Sequence, residues 1–240
     1  MAGFHVTVFD YEGFQAESRT LVSSLEAGDV SPIQDRAFQS AERLSECVQK
    51  GGSPPILTHG APLLSPTKGI RDVKDAPLLE IGYWFLLVLG EYLTSDTLSI
   101  WEGNRLLEGT LRSLGWHTED AKRLVNGFPI HRLINPNLRE EAPSLVDERT
   151  PYWHWVRIWG ADTGWLPKDD VEAFLRKLEK QREKVNDVAV SEFRWVNYGD
   201  PVVAREIKNH LTSSFSAFLE KLGQACAEQH GILMTTVRIS

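Results

Sequence analysis

The chain has 240 residues and a mass of 27.1 kDa, with 42% apolar and 25% charged residues. That is the balance of an ordinary globular protein, and it excludes disordered, collagen-like and coiled-coil classes. With 26 Lys and Arg against 33 Asp and Glu, the formal charge is −7, so phosphate-driven nucleic-acid binding is not expected.

Phe4, Val6 and Val8 alternate with His5 and Thr7, which predicts an opening strand with one face buried. Met1-Ala2-Gly3-Phe4-His5 has no basic start of the kind a secretory leader carries, so no leader is expected. A weakly amphipathic stretch follows from about Gly13 to Leu25. Ser31-Pro32 then predicts the start of a helix, with Ser31 as cap and Pro32 in the first turn. Ile33, Ala37, Phe38, Ala41, Leu44 and Val48 keep helical spacing up to Gly51-Gly52.

Five of the twelve prolines fall between Gly51 and Pro77, where no periodicity survives. The segment 51–77 therefore reads as a long loop or a connection between lobes of one domain spanning 1–240. Pro77 to Leu93 predicts a helix apolar on nearly every side, the centre of a core. Its uninterrupted apolar run, Ile81 to Leu89, is too short to cross a bilayer, and no membrane association is expected.

A helical hairpin is expected next. Ile100, Leu107, Leu111 and Leu114 share one face, Gly115 ends the first helix, and Thr118 caps the second with Glu119 and Asp120 in its first turn. Gly127-Phe128-Pro129 closes it. Tyr152 to Leu166 holds Trp153, Trp155, Trp159 and Trp165 and predicts an extended segment broken at Gly160–Gly164. Val171, Phe174, Leu175 and Leu178 make the stripe of an amphipathic helix that opens on Asp169-Asp170. Asp200-Pro201 starts a long helix with Val203, Ile207, Leu211, Phe215, Phe218, Leu222 and Cys226 on one face, stopped by Gly231. Ile232 to Ile239 predicts a final strand.

Helices outnumber strands, and the strands lie at the two ends and after Pro151. The expected class is α+β: a helix-rich domain with a small sheet of N-terminal, Trp-rich central and C-terminal strands.

The chemistry-bearing motifs are few. No phosphate-cradling glycine loop, nucleophile elbow or zinc helix occurs, and no metal or cofactor is expected. Cys47 and Cys226 are far apart and read as small buried hydrophobes in a reducing, cytoplasmic setting. His117, His131, His210 and His230 read as solvated or capping residues. His154 differs, because Trp153 and Trp155 flank it and Arg157 and Asp162 follow. Burial among aromatics would make it a base supported by Asp162 or Arg157, against the plainer reading of a hydrogen-bonded core histidine.

The aromatic cluster reads as core packing, as a recognition surface, or as a small-molecule pocket. The surface reading places Trp153, Trp155, Arg157 and Trp159 at a protein interface, with Asp147 and Glu148 nearby. The acidic charge would suit a basic protein partner, as for an immunity-type protein meeting a toxin domain. The alternatives are an enzyme using His154, or a small-molecule sensor.

The order of features resembles the YfbM-like family of bacterial proteins. The matching parts are Gly3-Phe4-His5-Val6-Thr7-Val8, Trp101-Glu102-Gly103 and Gly164-Trp165-Leu166-Pro167-Lys168-Asp169-Asp170-Val171. The run Phe218 to Ala225 and then His230-Gly231 also match. The resemblance implies an α+β bacterial cytoplasmic protein and carries over no catalytic residue.

Overall fold

The computed structural model describes residues 2–49, 78–94, 96–130, 133, 163–189 and 201–238. The architecture is α+β, with a small five-stranded sheet among helices. Contacts group the chain into two compact units: Met1–Val8, Thr97–Phe128 and Asp162–Ser240 in one, Phe9–Asp96 and Pro129–Ala161 in the other.

The first unit is built on the sheet. Its strands are β1 (Ala2–Phe9), β2 (Leu98–Trp101), β3 (Phe128–Pro129), β4 (Thr163–Leu166) and β5 (Gly231–Arg238), in the order β2-β1-β5-β4-β3. β1 and β2 pair antiparallel with Phe4 opposite Ile100 and His5 opposite Ser99. β4 and β5 pair antiparallel with Leu166 opposite Ile232. The period of two sends Phe4, Val6, Ile100, Leu166, Ile232 and Met234 into one core. Onto that core pack α4 (Gly103–Ser113), α5 (Thr118–Asn126), α6 (Lys168–Glu179) and α7 (Pro201–Glu228). Along the expected apolar stripe of α7, Ile207, Leu211, Phe215, Phe218 and Leu222 are buried, and Phe218 meets the Phe4 ring. Val203 is 36% exposed, because the helix meets the core only from Ile207 onward. Cys226 is half-buried against the same core, and burial followed by the nearby Glu172 charge raises its thiol pKa.

Ile100 does not belong to the helical hairpin. It lies in β2, although it converges on the same core as Leu107 and Leu111. The break expected at Gly160–Gly164 also differs, because β4 already runs from Thr163. Gly164 is there for close approach: a Cβ on it would land on the Asn126 carbonyl oxygen. Opposite it Gly127, at φ 66°, leaves no room for a side chain against Trp165.

The helix ends show where pattern and geometry part. His117, not Thr118, caps α5, accepting from the Glu119 N–H at 3.4 Å. Gly115 ends α4 with φ 83°, as its position suggests. Gln229, not Gly231, takes the left-handed position after α7, at φ 58°. The His230 N–H returns to Ala225 O and the Gln229 N–H to Cys226 O, so a paired C-terminal cap forms without glycine.

The second unit contains α1 (Tyr11–Glu26), α2 (Ser31–Gln49) and α3 (Leu78–Gly90). Asp10 caps α1 by accepting from Gly13 N at 3.0 Å. Asp29, rather than Ser31, supplies the side-chain acceptor at the start of α2, its carboxylate accepting from Ser31 N at 2.9 Å. α3 is buried at Ile81 and from Trp84 through Leu89, the all-round burial its composition predicts. No described helix is long and apolar enough to cross a membrane.

Candidate functional site

The tryptophan-rich candidates Trp153, Trp155, Arg157 and Trp159, with Asp147, Glu148, His154 and Asp162, lie outside the described residues, as does the segment 51–77. The remaining chemistry concentrates in two places.

The first is the start of β2 through α4. In the strand Leu98-Ser99-Ile100-Trp101, alternation buries Ile100 and turns Ser99 and Trp101 outward. Across the register, Ser99 Oγ and His5 Nδ1 are hydrogen-bonded at 2.7 Å. Trp84 and Trp116 are buried, whereas Trp101 is 46% exposed. Its surroundings are fixed. His210 on α7 donates from Nε2 to the Trp101 carbonyl at 3.3 Å, and the two rings lie 6.0 Å apart. Val202 and Val203, about two turns before His210 on the same helix, are 53% and 36% exposed.

Glu102 follows in the left-handed region, at φ 47°, an arrangement a non-glycine residue adopts at a cost of order 1–2 kcal/mol. Gly103 must come next, since a Cβ there would sit 2.7 Å from the Ile100 side chain and 3.0 Å from Phe4. The Glu102 carboxylate is buried at the start of α4, where the helix dipole favours it, with Arg105 at 3.6 Å. The turn Trp101-Glu102-Gly103 is therefore a rigid mount for one exposed indole.

His210 also faces Ser214, Nδ1 to Oγ at 3.5 Å. This is not a nucleophile and its base. Ser214 is buried and the contact is at the limit of a hydrogen bond, so its hydroxyl is not presented to a substrate.

The second place is a charged cluster joining α1, α2 and the turn after α3. Arg36 donates from Nε to Glu17 Oε1 at 2.5 Å, from Nη2 to Glu91 Oε2 at 2.5 Å, and from Nη1 to Ser40 Oγ at 3.0 Å. Arg43 reaches the same Glu91 oxygen at 2.8 Å, and the Tyr92 hydroxyl donates to Glu17. The hydrogen bond to Glu91, opposed by burial and reinforced by Glu17, holds Arg36 charged. Burial penalises the Glu91 carboxylate, yet the hydrogen bonds from Arg36 and Ser40 and the two arginine charges outweigh it and lower its pKa. Burial, then the Glu17 hydrogen bond, pushes Tyr92 up to about 12. Arg36 is held charged and Glu91 is held ionised down to its lowered pKa, so this pair keeps one state across ordinary pH. The cluster fastens α1 and α2 to the turn after α3.

No three His, Cys, Asp or Glu side chains among the described residues gather as a metal site would require. Comparison with protein-family models, with curated proteins and with solved structures returned no match.

Sequence reasoning assigned Trp101-Glu102-Gly103 no binding role. The signal that could have found it is the tripeptide's chemistry: a large aromatic, a residue unsuited to the left-handed region, and a glycine.

Proposed function

We propose that the protein acts by binding another protein, and that Trp101 is one of its contact residues. The observation carrying this reading is the indole, 46% exposed at the end of a hydrogen-bonded strand and held through its backbone by His210. A large aromatic with two rotatable bonds on a rigid mount loses little entropy on contact, which is why tryptophan is enriched among the anchors of interfaces. Exposed Val202 and Val203 on α7 add apolar area to the same unit.

The net charge of −7 favours a basic partner, met with electrostatic steering, and an immunity-type or accessory role in a bacterial cytoplasm suits that sign. Trp153, Trp155, Arg157 and Trp159, with Asp147 and Glu148, belong to the same proposal as a second group of contacts. Kinship with the YfbM-like family is also part of it, resting on the motif residues given above.

The test is site-specific photo-crosslinking in the cells that make the protein. A photoreactive side chain at position 101 is expected to capture one discrete protein, while the same group at exposed Glu119 captures none. Identical adduct patterns from both positions would overturn the assignment of Trp101.

A further inference from the structure

We draw no further inference here: the strongest candidate, the exposed Trp101 on terminal strand β2 beside His210, belongs to the site already described, and nothing in the structure shows what covers it.

Discussion

Replacing Arg36 with methionine keeps the length and apolar stem of the side chain and removes its charge. In the structure that charge donates to Glu17, Glu91 and Ser40 at once, from a side chain 18% exposed. Hydrogen bonds to charged groups contribute about 1.5–3 kcal/mol each, and breaking a buried pair from one side costs about 3–5 kcal/mol. Glu91 retains Arg43 at 2.8 Å, which moderates the loss, so about 3 kcal/mol is expected. Arg43→Met serves as the control. It removes the other guanidinium on the same carboxylate oxygen, but from a side chain 66% exposed, so about 0–1 kcal/mol is expected. At roughly 2–4 °C per kcal/mol for a chain of this size, calorimetry should show Tm lower by about 6–12 °C for Arg36→Met and by no more than about 4 °C for Arg43→Met. Acid gives a second reading. Because the folded-state pKa of Glu91 is lowered, its contribution is present above the ordinary carboxylate pKa of about 4.3 and is lost as pH falls through the lowered value. The gap between wild type and Arg36→Met should therefore narrow below about pH 4. Equal Tm losses for the two arginine variants, or a gap indifferent to acid, would refute the claim that burial gives this cluster its strength.

Tyr92, raised to about 12, contributes stability that is full below the ordinary phenol pKa of about 10 and disappears as pH rises through the folded value. Urea midpoints should fall between about pH 10 and 12 in the wild type and less steeply in Tyr92→Phe. Gly164→Ala places a methyl on the Asn126 carbonyl, so a loss above about 3 kcal/mol, or failure to accumulate folded protein, is expected from expression and urea unfolding. Gln229→Gly relieves the left-handed strain at φ 58° but gives up the Gln229 Nε2 bond to Cys226 O. A net gain of about 0.5–1 kcal/mol is expected, seen as a higher urea midpoint.

The helices were readable because their apolar positions recur with a period near 3.6, and burial is what stabilises them. Val171 and Leu178, Leu211 and Phe218, and the apolar positions Ile81 and Trp84 to Leu89 all arrived where the pattern placed them. The small sheet was legible at the two ends of the chain, through alternation in β1 and a run of apolar and β-branched residues in β5. β2 escaped because four residues carry little periodicity, and Ile100 stands seven positions before Leu107, which imitates a helical face. Caps were missed where an unusual residue took the role through tertiary position, as with His117 and Gln229. The charged cluster was invisible for a related reason. Glu17, Arg36 and Glu91 each look like an ordinary polar position, and only the packing of three helices brings them within hydrogen-bond reach. Trp101 could be read as a tryptophan near a glycine, but its exposure depends on the strand phase set by pairing with β1.

The binding proposal is tested most directly by calorimetric titration of the cross-linked partner, once purified, with wild-type protein and Trp101→Ala. The account predicts a Kd weakened by about 30-fold or more in the variant, equivalent to about 2 kcal/mol, at an unchanged melting temperature. Equal affinities for the two proteins would contradict it.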